Sequence, residues 1–246
     1  MRSSYKLALL GTVLLAATPL QAAEGEWQQE VVPYMWASAM SGTAGVRDFE
    51  GDVDMSFGDI LDDLEFAFMG AYRAKRDKFS VTVDGIYMAL SDDVKGPRDL
   101  VKGEIDVDQS ALEVDVGWDL SERLTVFGGL RYNDITSDIT LKGPNDNKVR
   151  GKGSEQWIDP VIGAHYTYPF SDQWSATLRG DIGGFGVGSQ FAWQGIAELR
   201  WQVKPNIGIL GAYRYIDMDY SAGTGPTYFL YDMAISGPAL GVAFAF

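Results

Sequence analysis

Beyond residue 23 the chain falls into runs of 10–15 residues in which apolar and polar side chains alternate. That is the pattern of a strand with two unlike faces. In one run Leu64, Phe66, Phe68, Gly70 and Tyr72 share a face, and Glu65, Ala67, Met69, Ala71 and Arg73 share the other. In the next, Phe79, Val81, Val83, Gly85, Tyr87 and Ala89 oppose Ser80, Thr82, Asp84, Ile86 and Met88. Ten such runs are predicted as strands: 27–40, 64–75, 79–90, 105–119, 124–138, 157–169, 174–184, 190–202, 207–219 and 230–246. Short polar turns at 75–78, 120–123, 170–173 and 203–206 alternate with longer connections at 41–63, 91–104, 139–156 and 220–229. The link 185–189 is the short exception. The pattern predicts an all-β fold, an antiparallel up-and-down transmembrane β-barrel of about ten strands, with eight or twelve as neighbouring solutions. Both termini and the short turns lie on the periplasmic side, and the longer loops are extracellular.

One face of each strand is apolar, and the other collects Glu65, Arg73, Asp84, Glu113, Asp115, Arg131, Asp159, Arg179, Asp181, Glu198, Arg200 and Arg214. A charge on a lipid-facing wall costs about 2–4 kcal/mol at the bilayer midplane, so these residues belong in a barrel lumen. His165 shares their inward parity. Alternation alone also fits a soluble sandwich, with the faces reversed. The aromatic residues separate the two. Tyr72, Phe79, Trp118, Tyr168, Trp174, Trp201 and Phe246 gather at the short-turn ends of the apolar face, and Trp36, Phe66, Tyr87, Tyr132, Trp193 and Tyr215 toward the opposite ends. Two aromatic rows around an aliphatic band match membrane-interface girdles.

The first 23 residues have another character. Arg2 and Lys6 precede an apolar run from Leu7 to Ala17 and the small residues Ala22 and Ala23. This is the layout of a cleaved signal peptide, and the run is short for a membrane anchor. The division expected is 1–23 signal peptide and 24–246 barrel. The 246 residues hold no Cys and one His, with a net charge of −14. Disulfides and thiolate metal sites are excluded, and the acidic balance argues against nucleic acid as a partner. No cofactor and no metal site are expected.

The chain ends with Leu240, Val242, Phe244 and Phe246 alternating to a terminal Phe. This ending resembles the signal by which Gram-negative outer-membrane barrels reach their assembly machinery. The whole mature chain resembles the small outer-membrane barrels of the porin-like or opacity-type surface-antigen class. Pro33-Tyr-Met-Trp36, Val53–Leu61, Asp84–Tyr87, Trp157–Pro160, Arg179–Phe185 and Gly211–Ile216 resemble one proteobacterial family within it. The resemblance implies fold and outer-membrane location and implies no reaction. The partners expected are outer-membrane lipids, lipopolysaccharide and the barrel assembly machinery, for a monomer.

Some features sit across the pattern. Pro33, Pro160 and Pro238 fall within proposed strands, where each removes a ladder donor. Phe57, Ile60, Leu61 and Leu64 follow helical spacing, with Ser56 or Asp54 as a cap. That helix either plugs the barrel mouth or lies across its rim, and burial of Phe57 and Leu61 distinguishes the two. The inner face holds seven carboxylates and five arginines, which suits a packed network of paired charges in a narrow, largely occluded lumen. A small diffusion pore is the alternative reading, and a rim enzyme acting on lipid A or peptides the third. No catalytic residue is assigned, because His165 lies near the periplasmic end of its strand and Asp159 is too far along it to pair. The Gly-rich run 180–188 joins two strands, so it is no phosphate cradle. The acidic stretch Asp48–Asp54 reads as a solvated loop, with weak Ca²⁺ binding the lesser alternative.

Overall fold

A computed structural model describes residues 25–46, 49–95, 102–142 and 148–246, and the leader expected at 1–23 lies outside the described residues. Strand β1 (Gln28–Trp36) rises from the end carrying both described termini and continues past Ala37-Ser38 as β2 (Ala39–Val46). Strand β3 (Phe49–Met55) folds back on β2, and the helix α1 (Phe57–Asp63) leads into β4 (Leu64–Arg76). There follow β5 (Phe79–Lys95), β6 (Lys102–Asp119), β7 (Leu124–Lys142), β8 (Lys148–Pro169), β9 (Trp174–Gly183), β10 (Phe191–Lys204), β11 (Ile207–Ala222) and β12 (Phe229–Ala245). Neighbours pair in antiparallel sequence, and β1 pairs with both β4 and β12. The result is a closed barrel of ten strands with the β2–β3 hairpin added beside β12.

The strands are longer at the extracellular end than alternation predicts. The connections expected at 91–104 and 139–156 are largely ladder, since Lys95 pairs with Lys102 and Lys142 with Lys148. The connection expected at 41–63 holds the β2–β3 hairpin and α1. Its strands read as loop because β2 is built of small residues and β3 alternates with acids, so the apolar signal is weak. Gly42 shows how tightly β2 is drawn in: its φ is 151°, and a Cβ there would lie 2.1 Å from the Asp232 carbonyl oxygen.

Each proline sits where pairing is interrupted. Pro33 falls in the gap between the Val31↔Phe244 and Tyr34↔Gly241 pairs of β1 with β12. The Pro160 carbonyl accepts from Gly184 N just beyond the end of the β8–β9 ladder. The Pro238 carbonyl accepts from Ala37 N at the kink between β1 and β2. A strand residue aims its N and C=O to the same side. The missing Pro160 and Pro238 donors therefore face a strand end and a kink.

At the periplasmic end, Leu120-Ser-Glu-Arg123 and Phe170-Ser-Asp-Gln173 form one recurring turn. Its serine hydroxyl accepts from two following backbone N–H groups, Arg123 and Leu124 in one case and Gln173 and Trp174 in the other. Short side chains that satisfy their own backbone are what such turns select.

Candidate functional site in the barrel lumen

The lumen is filled in layers. Nearest the periplasm, Lys75 of β4 meets Asp119 of β6 at 2.5 Å, and Thr125 of β7 donates to Asp119 at 2.6 Å. Next, Arg73 of β4 bridges Glu30 of β1 at 3.3 Å and Glu198 of β10 at 3.0 Å, and Arg200 of β10 also pairs with Glu30. The Arg73–Glu198 and Arg200–Glu30 pairs cross the barrel, and Arg73–Glu30 joins neighbouring strands. They leave open, toward the periplasm, adjoining cavities of about 300 and 270 Å³ that share Glu30, Arg73, Thr82 and His165 in their walls.

The central layer is denser. Arg131 of β7 donates to Glu113 of β6 at 2.5 Å and to Asp181 of β9 at 2.7 Å. Arg179 of β9 pairs with Glu113, Asp115 and Asp181 and lies over the Phe127 ring at 4.3 Å. Gln194 of β10 donates to Asp181 at 2.8 Å and accepts from Arg214 of β11 at 2.7 Å. Arg214 closes the chain on Asp84 of β5 at 3.0 Å, where Tyr34 of β1 also donates, at 2.9 Å. Arg131 is 2% exposed. An ion so buried is tolerated only when its partners are close and well aimed.

Above this lies an apolar layer of Trp36, Ile135, Trp157, Ala192, Ile216, Met218, Tyr220, Tyr231, Met233 and Ile235, all buried. Trp157 of β8 stacks on Tyr220 of β11 with centroids 4.1 Å apart and planes within 10°. Gln109 of β6 donates to the Tyr231 hydroxyl of β12 at 3.3 Å. These contacts join the tall β5–β8 wall to the β11–β12 wall. Between them the low β9–β10 turn is clasped by Asp159, which accepts from Ser189 N at 2.6 Å, Ser189 Oγ at 2.8 Å and Trp157 Nε1 at 3.2 Å.

The structure brings Arg73, Asp84, Glu113, Asp115, Arg131, Arg179, Asp181, Glu198, Arg200 and Arg214 together in the two charged layers. Asp159 faces inward, but its described partners are the 189 turn and Trp157. His165 lines the periplasmic cavities, tilted against Phe127 at 6.3 Å, with its Nδ1 buried and unpartnered. Glu65 corrects the expectation: it is exposed at a bulge between Leu64 and Phe66, which puts it out of phase with Arg73. Glu30, Tyr34, Lys75, Asp119, Thr125 and Gln194 also belong to the network, though the charge pattern alone does not mark them. Most of them lie near strand ends or are uncharged, yet each keeps the parity of its charged neighbours.

On the outer face, Phe66, Tyr72, Phe79, Tyr87, Trp118, Tyr132, Tyr168, Trp174, Trp193, Trp201, Tyr215 and Phe246 all point outward and are exposed or half-buried. Trp174 stacks on Trp201 at 5.8 Å, and Trp193 on Tyr215 at 4.7 Å. Trp36 is the second correction. It shares the inward parity of Glu30 and Tyr34, is 7% exposed, and donates from Nε1 to the Gly237 carbonyl at 3.1 Å. Leu240, Phe244 and Phe246 are exposed on the outer face of β12, and Val242 is half-buried there. Ser56 caps α1 in a reciprocal box with Asp59. Phe57 is 39% and Leu61 52% exposed, and Ile60 alone in the helix is buried, so α1 lies across the rim against β2, β3 and β5. Residues 49–54 are strand, and among the described residues no group of three or more potential ligands could hold a metal ion.

No protein-family model matches this chain, and no curated protein sequence does. Solved structures do match. The outer-membrane protease OmpT from Escherichia coli has a TM-score of 0.54 at 7% identity, over 94% of this chain and 100% of that one. The translocator domain of the autotransporter NalP from Neisseria meningitidis gives 0.46 at 14% identity, over 92% and 90%. Ail, the attachment invasion locus protein of Yersinia pestis, gives 0.40 at 12% identity, over 91% and 100%. At such identities the likeness is one of fold, the Gram-negative outer-membrane β-barrel.

Proposed function

We propose that this outer-membrane barrel has a structural or surface role, with a narrow, largely occluded lumen and no catalytic site. The observation that carries the reading is the stacking of an apolar layer directly on the buried ion network of Arg131, Glu113 and Asp181. Ions meet tightly paired charges from below and an apolar plug from above. Purified protein in planar lipid bilayers is expected to give no single-channel steps. Stable steps of uniform size overturn the closed lumen and favour the diffusion pore.

A rim enzyme finds no support in the histidine, since His165 opens on the periplasmic cavities. The partners proposed are outer-membrane lipid, lipopolysaccharide and the barrel assembly machinery, the last through the outward Leu240, Val242, Phe244 and Phe246. Deleting Phe246 is expected to lower the yield of heat-modifiable barrel in outer-membrane fractions while leaving refolding in detergent intact. An unchanged yield in the membrane removes the assembly role.

A further inference from the structure

The barrel wall is not laced by ladder hydrogen bonds all the way round. The β1–β4 ladder stops at Pro33↔Gly70. Beyond it, the Met69–Leu64 stretch of β4 pairs with β5 alone, and β3 joins β2 only from Met40↔Met55 upward. Residues 34–39 and 64–69 therefore flank a seam with no ladder across it. The Trp36 N–H, which a continued ladder would have paired, donates instead to Met69 Sδ at 3.3 Å. A thioether is a weak acceptor, so side chains rather than backbone close the gap.

The seam has an apolar lip and an apolar lining. On the lipid side Met35, Phe66 and Phe68 are 67%, 57% and 62% exposed. Behind it Trp36 belongs to the apolar layer, with Met40, Met69 and Ile86 packed against it and Met218 and Met233 inside it. Below, the Arg214 guanidinium lies 5.0 Å from the Trp36 ring centroid and is paired with Asp84. That charged floor turns an apolar guest back from the periplasmic half. Backbone groups left without partners in lipid are unfavourable, and membrane barrels normally avoid them by continuous pairing. Here the kink at Ala37-Ser38 and the bulge at Glu65 divert two strands that were in register to pair.

We infer that the seam is a lateral portal through which a small, uncharged apolar molecule dissolved in the bilayer enters the apolar layer. Methionines suit such a portal: an unbranched side chain with three rotatable bonds can yield to a guest and refill the space after it. The lip rejects charged solutes because they would have to leave water to reach it. The inference rests on the membrane placement, which fractionation tests separately, and does not depend on the absence of ionic conductance.

The test uses protein labelled with ¹³C at the methionine methyls, in lipid nanodiscs, with benzene as the probe. Saturable shifts are expected at Met218 and Met233, and only proportional, non-saturating change at the half-buried Met55, which lies at the end of β3 outside the apolar layer. The chain has no Cys, so Met35→Cys with Phe68→Cys gives a unique thiol pair at positions that the β1–β4 register, extended, places opposite each other. Bridging that pair with a short bis-maleimide is expected to slow benzene exchange at Met218 and Met233 at least tenfold. Met69→Ala is expected to speed it several-fold, with heat-modifiable migration confirming the fold of each variant. No saturable shift at Met218 and Met233 overturns the site. Exchange that is unchanged by both the bridge and Met69→Ala overturns the route.

Discussion

Strand β11 carries two opposite patterns in one unbroken run. From Ile207 to Tyr215 its outward residues are Ile207, Ile209, Gly211, Tyr213 and Tyr215, and its inward side reaches Arg214 in the charged network. From Ile216 on, the outward residues are Asp217 and Asp219, and the inward ones are Ile216, Met218 and Tyr220 of the apolar layer. The same reversal occurs on β7, where outward Leu130 and Tyr132 give way to Asp134 and inward Arg131 gives way to Ile135. It occurs on β12, where Leu240 and Asp232 face out at different heights and Met233 and Ile235 face in. One half is thus built for lipid outside and ions inside, and the other for water outside and oil inside. The changeover is marked by tyrosines whose hydroxyls donate toward the wet side: Tyr132 to Asp134 at 2.9 Å, Tyr215 to Asp217 at 3.2 Å and Tyr87 to Asp108 at 2.9 Å. The two face assignments that compete at the level of alternation, apolar residues turned outward and apolar residues turned inward, both occur in this one barrel, each on its own stretch of the same strands.

The largest effects should come from the ion layer, because Arg131 and both of its carboxylate partners are almost wholly buried. Arg131→Ala leaves Glu113 and Asp181 without their shared partner, and losing one side of a buried pair destabilises by about 3–5 kcal/mol. Urea unfolding of refolded protein measures this, and adding Glu113→Gln should recover part of the loss. An effect under about 1 kcal/mol would place that layer in contact with bulk water, where ion pairs are worth little.

A second pair of substitutions locates the changeover itself. Leu178 faces outward below the aromatic row and is 63% exposed. Leu178→Arg should cost about 2–4 kcal/mol in a bilayer, while Asp217→Arg, above the row, should stay within about 1 kcal/mol. The same two variants compared in liposomes by guanidine unfolding draw the membrane boundary on the strand. Equal effects would erase it.

What alternation makes legible follows from the same division. Where one solvent lies outside and charges lie inside, as on β9 and the lower stretches of β5 and β6, the period-2 signal is strong and both the strands and their faces can be read. Trp36 misleads because its strand puts Val31, Pro33 and Met35 on one face and Val32, Tyr34 and Trp36 on the other, so apolarity does not choose between them. The upper lumen is illegible for a related reason. Its apolar residues have the parity that marks charge lower down, and only the reversal to outward acids betrays it. Pairing partners are illegible altogether. Arg73 meets Glu198 across 125 residues of sequence because of how the barrel closes, which no local pattern encodes.

The clasp between the halves should give a smaller effect. Ser189 spends both its backbone N–H and its hydroxyl on Asp159, and all of these atoms are buried. Ser189→Ala removes the hydroxyl bond but not the backbone one, so a loss of about 1–3 kcal/mol is expected from the partly unsatisfied carboxylate. Hydrogen exchange should quicken in the 184–190 turn and at Trp157 while the Arg131 layer stays protected. Uniform quickening through both halves would show that they unfold as one unit.

The smallest effect belongs to α1, which lies on the wet side of the boundary and should answer to solution pH. Asp59 accepts from Ser56 Oγ at 2.7 Å and from Ser56 N at 2.9 Å, and both hydrogen bonds hold its carboxyl below the usual aspartate value. A carboxyl lowered on folding stabilises the helix fully above the unfolded-state value of about 3.9. That contribution is lost as pH falls through the lowered folded value, when the protonated oxygen stops accepting. Amide exchange across Phe57–Asp63, corrected for its intrinsic pH dependence, should therefore quicken below about pH 4. Ser56→Ala should quicken it at neutral pH and remove most of the acid response. The lower barrel should show neither change, since its ladder does not run through the cap. If Ser56→Ala leaves the acid response whole, the response comes from other carboxylates on the rim, and the helix is held by Ile60 alone.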